Sequence, residues 1–331
     1  MATQLESESL SPQGTRRRAP PGAPSSFDRA SGAIGRLAGT LLIGMHVAML
    51  LVFVTPFSWK LVALALGSYV FRMWAVTTGY HRYLAHRSFK TSRAFQLVLA
   101  VLGATTMQGG PLWWVATHRR HHKFSDQPGD VHSPVQRGFF YAHIGWLYDR
   151  TRRDERGDDV KDLSRFPELR FVDKHEWLPL FGWAGLCYAI AGGPGIVWGF
   201  VVSTVALLHA TFLINSLAHV WGSRRYETRD RSRNNALLAL LTLGEGWHNN
   251  HHHVMSSARQ GFFWWEIDVS FYVIKLLEKL GLVWDVREPS AAARLPTARH
   301  DSPAAPAAIR AAASTARGRQ VAAALTTLPG P

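Results

Sequence analysis

The amino-acid sequence predicts an all-α integral membrane protein, with four transmembrane helices in two hairpins and a helical cap on the cytoplasmic side. Only 18% of the 331 residues are charged, below the roughly 25% that is usual for soluble domains. Four apolar stretches occupy the middle of the chain as two pairs. Each pair is joined by a short uncharged turn, whereas the segments outside the pairs are rich in Arg and Lys.

The first pair covers residues 37–56 and 59–79. The stretch at 37–56 contains no Lys, Arg, Asp or Glu, and a membrane span needs about 20 such residues. The second stretch is apolar except for Arg72 near its far end. We expect this Arg to reach the interface or to pair with an acidic group.

The second pair covers residues 177–192 and 195–218, divided by Gly-Gly-Pro-Gly at 192–195. The span at 177–192 is short, so tilt or local thinning of the bilayer would accommodate it. A further apolar stretch, residues 94–116, is interrupted by Gly109-Gly110-Pro111. We predict a re-entrant or interfacial helical segment there.

The net charge of +14 is spread unevenly along the chain. Residues 1–36 and 287–331 supply 6 of these charges and are rich in Ala, Pro, Ser and Arg, so we expect two disordered tails. They flank a membrane domain over residues 37–286. The basic balance indicates topology and attraction to anionic lipid, and we expect no nucleic-acid partner.

The positive-inside rule orients the spans. The uncharged turns at 55–58 and 192–195 would face away from the cytoplasm. Both termini and the cap, residues 80–176 and 219–286, would face into it. We expect a multi-pass protein of a bacterial inner membrane, or of the endoplasmic reticulum if the chain is eukaryotic.

Nine of the 16 histidines fall into four groups, and their spacing is informative. His81 and His86 follow the second span. Five residues separate their rings by about 140° around an α-helix, so they can share a metal only if the helix ends or bends between them. The other groups are His118, His121 and His122; His219, in line with Thr211 and Asn215 on one helix face; and His248, His251 and His252. In two groups the spacing i, i+3, i+4 would present three imidazoles to a common point.

So many imidazoles in one region are costly unless they bind metal ions as neutral ligands. Nine nitrogens are too many for one ion and suit two. The single cysteine, Cys187, excludes a thiolate cluster, and all-nitrogen ligation is typical of Fe, Zn, Cu or Ni. Because all four groups lie at cytoplasmic ends of the predicted spans, the substrate would enter from the membrane as an apolar chain.

Four segments resemble one protein family. They read HRYLAHRSFK at 81–90, HRRHHKFSDQPGDVHSP at 118–134, NSLAHVWG at 215–222 and GEGWHNNHHHV at 244–254. Their order and spacing are similar to those of the membrane fatty acyl desaturases of the delta-9, stearoyl-CoA desaturase-like type. The likeness spans about residues 37–286.

The resemblance implies a four-span protein whose cytoplasmic cap holds a di-iron site. By motif position the iron ligands would be His81, His86, His118, His121, His122, His219, His248, His251 and His252, with Asn215 acting through a water. His253 would support these ligands or lie at the surface. The remaining histidines, His46, His132, His143, His175, His209 and His300, lack ligand spacing, and we expect structural roles for them.

Further positions match family residues that line a bent acyl channel: Gln108, Trp114 and Thr211. Taken alone they are equally typical of a loop amide, an interfacial aromatic and a hydroxyl bonded to its own helix. Tyr69 and Met73, on the second span, would set the channel floor.

The implied activity is O2-dependent desaturation, which places a cis double bond in a saturated acyl chain, at delta-9 by resemblance. The irons carry the reactive chemistry, and the protein presents one CH2–CH2 pair in a dry channel. The sequence shows no haem-binding cytochrome b5 domain and no Gly-rich nucleotide fingerprint. Electrons would therefore come from a separate donor, a ferredoxin or a cytochrome b5 with its reductase, guided by Arg119, Arg120, Lys123 and the basic residues at 152–156, if these are not simply a solvated surface.

The acyl carrier stays open among acyl-CoA, acyl-lipid and acyl carrier protein. Animal acyl-CoA desaturases have an Arg-Asp pair before the second histidine group and polar residues after the channel Gln, where this chain has Ala116-Thr117 and Gly109-Gly110. Two other classes are possible. A related di-iron membrane hydroxylase or ketolase would leave oxygen in the product, and a His-rich membrane metal transporter or sensor would place its ligands at the membrane midplane.

Overall fold

The computed structural model describes residues 40–149 and 158–296, which are almost entirely helical. The tail at 1–36, the residues at 297–331 with His300, and the basic residues at 152–156 lie outside the described residues. The helices are α1 (Thr40–Phe53), α2 (Trp59–Ala85), α3 (Arg93–Ala104), α4 (Pro111–Phe124), α5 (Pro134–Arg137), α6 (Phe139–His143), α7 (Lys161–Ser164), α8 (Pro167–Lys174), α9 (Trp177–Gly195), α10 (Ser203–Ser216), α11 (Ala236–Leu241), α12 (His248–His253) and α13 (Val269–Lys279). Two short strands, β1 (Lys90–Thr91) and β2 (Val283–Trp284), pair antiparallel.

Two helical runs are long and apolar enough to cross a membrane: α2, with 27 residues, and Trp177–His219, with 43 residues. The second run contains α9, a π-helical stretch at Ile196–Val202, and α10. It is not straight, because Ala191 and Gly192 leave helical geometry and Gly192 has a φ of 61°. The chain reverses there, and a Cβ on Gly199 would lie 2.9 Å from the sulfur of Cys187. The run therefore folds into a hairpin near the predicted turn at 192–195. The predicted first span is represented by α1, a shorter apolar helix.

The end of α2 changes from α-helix to π-helix over Ala75–Ala85. A π-helix bonds residue i to i+5, is rare, and is frequently found at functional sites. Every residue of this segment is buried. It packs closely against α3, since a Cβ on Gly79 would lie 2.9 Å from the carbonyl oxygen of Leu99. The second predicted span therefore runs on into the cap as one helix and carries His81 with it.

Arg72 is fully buried between α2, α9 and α10, so it does not reach the interface as one of our predictions had it. Its guanidinium donates to the hydroxyls of Ser203 at 2.5 Å and Thr204 at 2.8 Å. The rings of Trp183 and Phe200 lie 5.6 and 6.0 Å from it. The predicted acidic partner is not found among the described residues. Hydroxyl dipoles and aromatic faces take its place, as they do for buried cations elsewhere.

The apolar stretch predicted at 94–116 consists of α3, a turn, and the first part of α4. Met107 and Gly109 in the turn have positive φ angles of 61° and 87°. Pro111 begins α4, where a missing N–H costs nothing. The Asp173 carboxylate accepts hydrogen bonds from the amides of Leu112 and Trp113 at 2.8 and 3.0 Å. These two hydrogen bonds at the N-terminus of α4 fix the direction of the helix that carries the second histidine group.

The described residues continue past the predicted domain boundary at 286, as far as residue 296. The Arg287 amide donates to the carbonyl of Ser88 at 2.9 Å, next to the β1–β2 pair. The Tyr226 hydroxyl donates to the carbonyl of Arg294 at 3.1 Å. Residues 287–296 therefore pack on the cap instead of joining the predicted tail, because their backbone groups complete hydrogen bonds of the first histidine segment.

Candidate metal centre

The structure gathers the nine histidines of the four groups into two buried clusters. Cluster 1 contains His81, His86, His118, His122 and His251, and cluster 2 contains His121, His219, His248 and His252. Within each cluster, one nitrogen from every ring lies within 4.8 Å of the others. The clusters adjoin, since the rings of His122 and His252 lie 4.5 Å apart. This arrangement presents two neighbouring sites with nitrogen ligands only.

The π-helical end of α2 brings His81 and His86 to the same cluster. In an α-helix their rings would point about 140° apart. In the π-helix the His86 amide donates to the His81 carbonyl at 3.1 Å, so residue 86 lies one turn beyond residue 81. Their ring centroids are 4.8 Å apart. The helix therefore widens where we expected it to end or bend.

The two groups with i, i+3, i+4 spacing do not present three imidazoles to a common point, and that prediction was wrong. On α4, His118 and His122 belong to cluster 1, whereas His121 belongs to cluster 2. On α12, His251 belongs to cluster 1, whereas His248 and His252 belong to cluster 2. The two helices lie between the clusters, so neighbouring positions on each helix face different clusters.

The Nε2 atoms face one another at short range. The Nε2 atom of His81 lies 3.1 Å from that of His251, and the Nε2 atom of His86 lies 2.8 Å from that of His118. In cluster 2 the Nε2 atoms of His219 and His248 are 3.1 Å apart. A neutral imidazole has one N–H and one lone pair.

Carboxylates accept hydrogen bonds from the opposite ring nitrogens. In cluster 2, Nδ1 of His121 lies 2.9 Å from Asp130, Nδ1 of His219 lies 2.8 Å from Asp126, and Nδ1 of His252 lies 2.6 Å from Asp230. In cluster 1, Nδ1 of His81 lies 2.5 Å from Glu245. A ring that donates from Nδ1 turns its Nε2 lone pair toward the cluster. Carboxylate partners of this kind orient metal-binding histidines and raise their basicity.

Glu245 is itself held by Arg82, which is fully buried. The guanidinium donates to Glu245 Oε1 at 3.0 and 3.1 Å and pairs with Asp268 at 2.8 Å. Burial alone would raise the pKa of Glu245, but His81 and Arg82 outweigh it and lower that pKa to about 2. The carboxylate is therefore ionised at neutral pH and available to His81.

The chemistry of both clusters fits bound metal ions. Burial, followed by the neighbouring histidines, holds the pKa of His86, His118, His122, His248 and His251 well below 6.5. Burial lowers the pKa of His252 to about 4. Its Nε2 atom is buried with no hydrogen-bond partner among the described residues. Neutral rings with converging lone pairs are the form in which histidine binds metal.

The predicted channel residues divide by location. Trp114 stacks on the ring of His118 at 4.9 Å and donates from its indole to Gln108 at 3.2 Å, so both lie beside cluster 1. The Thr211 hydroxyl donates to its own helix, to the carbonyls of Leu207 and Leu208. Half-buried Asn215 precedes His219 by one turn.

Of the two residues predicted at the channel floor, Met73 is fully buried in the main apolar core. Tyr69 packs against that core and donates its hydroxyl to the carbonyl of Leu241 on α11, at 2.7 Å.

Several residues at the site were missed by the sequence analysis: Asp126, Asp130, Asp230, Glu245 and Arg82. Four of them stand in the printed segments: Arg82 directly after His81, Asp126 and Asp130 within SDQPGD, and Glu245 just before His248. Each lies close in sequence to a histidine, which was a usable signal. Asp230 comes from a loop with no motif, so nothing in its surroundings indicated contact with His252.

The other histidines lie outside the two clusters. His253 stacks on Tyr226 at 4.1 Å and belongs to neither cluster. The ring of His132 is tilted by 31° against the ring of His121 at a centroid distance of 4.4 Å, and its nitrogen comes near His121 and Asp130. His46, His209 and His143 form a separate hydrogen-bonded row, and His175 contacts Phe171 and Trp177.

Comparison with known proteins identifies the family of this chain. The model of the family described as fatty acid desaturase matches residues 36–274. An acyl-CoA 5-desaturase from Anemone leveillei is 45% identical over 254 residues, 76% of this chain and 78% of the relative. A palmitoyl-monogalactosyldiacylglycerol delta-7 desaturase from Arabidopsis thaliana is 40% identical over 77% of this chain and 69% of its own length.

A delta-9 acyl-lipid desaturase, also from Arabidopsis thaliana, is 41% identical over 72% of this chain and 79% of the relative. The names of the three relatives differ in double-bond position and acyl carrier, but all three are named as desaturases. The matched region contains every histidine of both clusters. The chain belongs to the fatty acid desaturase family and is an oxidoreductase of lipid metabolism.

Proposed function

We propose that the chain is a di-iron, O2-dependent desaturase that introduces a cis double bond at delta-9 of a saturated acyl chain carried on a lipid or on CoA. The observation that carries this proposal is the pair of adjoining buried clusters with nitrogens only. Burial lowers the pKa of six of the nine rings, which favours their neutral form, and four rings are oriented by carboxylates. Cluster 1 and cluster 2 would each hold one iron, and Asn215 would complete cluster 2 through a water.

The overall reaction converts R–CH2–CH2–R′, O2, two electrons and two protons into R–CH=CH–R′ and two waters. The chemistry supplied by bound iron is O2 reduction, which an unactivated C–H bond requires because acid–base groups cannot remove its hydrogen. The chain's own residues would orient the acyl chain and exclude water from it. Trp114 and Gln108 form a hydrogen-bonded wall beside cluster 1. Buried apolar neighbours keep water from the acyl chain.

The substrate would reach the clusters from the membrane. Relatives named for an acyl-lipid and for an acyl-CoA both support an acyl chain as the reacting part. The residues at 109–110 and 116–117, which depart from the animal acyl-CoA pattern, favour the lipid carrier. We propose Tyr69 and Met73 as the channel floor. Replacing both with Ala should lengthen the accepted chain, and an unchanged chain-length profile would remove this assignment.

The topology we propose has four spans, with both termini and both clusters on the cytoplasmic side. The hairpin break at Ala191–Gly192 supports the second pair of spans. Cys187 is the chain's single cysteine and is buried, so a Cys187→Ser background allows single-cysteine labelling. A membrane-impermeant thiol reagent should label Ser58→Cys and Gly193→Cys only from outside, and Gln127→Cys only from inside. Labelling of position 127 from outside would contradict the orientation.

The function is tested by expressing the chain in a host that lacks desaturases, with a ferredoxin or cytochrome b5 system supplied. Fatty-acid methyl esters should contain a new monounsaturated species with the double bond at C9, and purified protein should contain iron. A hydroxylated product would instead support the hydroxylase class. No new species with a working donor would overturn the proposal, and a double bond at C5 or C7 would revise only its position.

A further inference from the structure

The segment at 222–233 connects the end of the last long helix to α11 and covers cluster 2. We name it the arginine loop. Its Asp230 carboxylate accepts from Nδ1 of His252 at 2.6 Å. Its Arg231 amide donates to Asp126 Oδ2 at 2.8 Å, and the same oxygen accepts from Nδ1 of His219 at 2.8 Å. The ring of His252 therefore bonds to a carboxylate of this loop, and the ring of His219 is linked to the loop through Asp126.

The arginine loop is fixed to the metal-site helix α12. Asn249 accepts from the amides of Arg225 and Tyr226 at 2.8 Å each and donates to the carbonyl of Tyr226 at 3.0 Å. At the base of the loop, Ser223 and Asn234 exchange backbone hydrogen bonds of 2.7 and 2.9 Å. The arginine loop therefore has a fixed conformation on the surface of α12.

The charge on this surface is strongly positive. The loop contains five Arg and two acidic residues, Glu227 and Asp230, for a net charge of +3. Arg224, Arg225 and Arg233 are bound to loop carbonyls or to buried Glu266. Arg229 and Arg231 are exposed, and their guanidinium groups make no hydrogen bond or ion pair within the described residues. Asp230 points inward between them.

Arg119 on α4 differs from these two exposed arginines. Arg119, which the sequence analysis placed at a donor-docking surface, is bound by Asp162 and by the carbonyls of Ala85, Asp159 and Leu84. It links α4 to the end of α2 and to α7. Its charge is therefore used within the fold, whereas the charges of Arg229 and Arg231 face outward.

We propose that the arginine loop is the docking surface for an acidic one-electron carrier protein, which contacts Arg229 and Arg231 and delivers its electrons on the cluster 2 side. The inference rests on the proposed function, which needs two electrons per double bond. Each docking oxidises one carrier by one electron. Two dockings supply both electrons that O2 reduction takes up with two protons and two substrate hydrogens.

Charge complementarity is the reason for this choice of partner. Electron-transfer encounters bury little surface and rely on opposite charges for speed. A cationic patch raises the association rate of an acidic partner by about 10- to 1,000-fold at low salt. The rate of electron transfer also falls steeply with distance, and the loop supplies one carboxylate of cluster 2, Asp230, and bonds directly to a second, Asp126.

The test compares the unaltered full chain with an Arg229→Glu/Arg231→Glu variant in phosphatidylcholine nanodiscs. Product formation is measured against the concentration of an acidic [2Fe–2S] ferredoxin with its reductase, and against a soluble cytochrome b5 domain. The KM for the carrier should rise ~10-fold or more, and its dependence on salt should weaken. Arg229→Lys/Arg231→Lys should keep most of the affinity. The matched control is Lys174→Glu/Lys279→Glu, which reverses two exposed charges elsewhere and should leave KM unchanged.

A second electron source separates docking from damage. Single-turnover product formation driven by dithionite should be the same in the variant and the unaltered chain. An unchanged carrier KM, or an equal loss with dithionite, would overturn the proposal. An effect that requires anionic lipid and is absent in phosphatidylcholine would also overturn it, in favour of a lipid contact. If the unaltered chain gives no product with either source, the proposed function fails, and the docking proposal fails with it.

Discussion

The two histidine clusters adjoin but differ in what surrounds them. Cluster 1 has five imidazoles and one carboxylate on an Nδ1 atom, Glu245. Cluster 2 has four imidazoles and three such carboxylates, Asp126, Asp130 and Asp230. Glu245 also pairs with Arg82, so its charge is largely compensated. The outer ring of cluster 2 is therefore the more anionic of the two.

This difference predicts unequal metal binding. Anionic groups behind the ligands raise their basicity and balance the charge of a bound cation. Cluster 2 should hold its ion more tightly, whereas cluster 1 depends on a single oriented carboxylate. Cluster 1 also contacts Trp114 on the proposed substrate side, and cluster 2 contacts the arginine loop. The chain thus gives the two sites different environments with the same kind of ligand.

The largest expected effect comes from removing one ligand in each cluster. We expect His118→Ala and His248→Ala each to abolish product formation, because the proposed di-iron reaction needs both ions. Metal content, measured by elemental analysis of the purified protein, should fall from about two to about one iron per chain, since each residue serves one cluster. Complete loss of metal in either variant would show that the clusters do not bind independently.

Glu245→Gln should produce the next largest effect. It removes the carboxylate of cluster 1 and leaves Asp268 as the one carboxylate paired with Arg82 among the described residues, so we expect about a 100-fold loss of affinity for the cluster 1 ion and destabilisation by about 3 kcal/mol. Chelator competition and thermal unfolding of the solubilised protein measure these. Glu278→Gln is a suitable control, because Glu278 pairs with partly exposed Lys275 and should change stability by less than about 1 kcal/mol.

Asp130→Asn makes the corresponding change in cluster 2, where two other carboxylates remain. We expect about a 10-fold loss of affinity for the cluster 2 ion, measured by the same chelator competition. No buried arginine loses its partner, so the loss of stability should be smaller than for Glu245→Gln. A greater loss of metal in Asp130→Asn than in Glu245→Gln would contradict the ranking of the two clusters.

Histidine spacing, together with the family resemblance that supported His219, named the nine rings that gather but not how they divide. The i, i+3, i+4 pattern fixes a helix face, whereas membership of a cluster depends on which side of α4 and α12 each ring turns toward, and that is set by tertiary packing. The π-helix at Ala75–Ala85 was not predictable from residue identity. The spacing of His81 and His86 did show that a regular α-helix could not bring both rings to one metal ion.

The hydrophobic pattern predicted a break near 192–195 and the start of α2, because long apolar stretches favour helices. It did not predict that α2 continues from residue 79 to Ala85. The partners of isolated polar residues could not be predicted in this way. Arg72 and Arg82 are both buried on α2, yet one is bound by hydroxyls and the other by two carboxylates. Such partners cannot be predicted from local sequence, because Asp268 and Ser203 are remote in sequence from Arg82 and Arg72.

The smallest expected effect is that of His253→Gln, which tests whether cluster membership ends at nine rings. His253 follows His252 directly, but it stacks on Tyr226 and bonds to the carbonyl of Ala293. Loss of the stack should cost about 1 kcal/mol and leave both ions in place, with product formation within about twofold of the unaltered chain. Elemental analysis and product assay of the same preparation check this. A drop in iron content would mean that His253 belongs to cluster 2, and the contrast between five rings and four would then disappear.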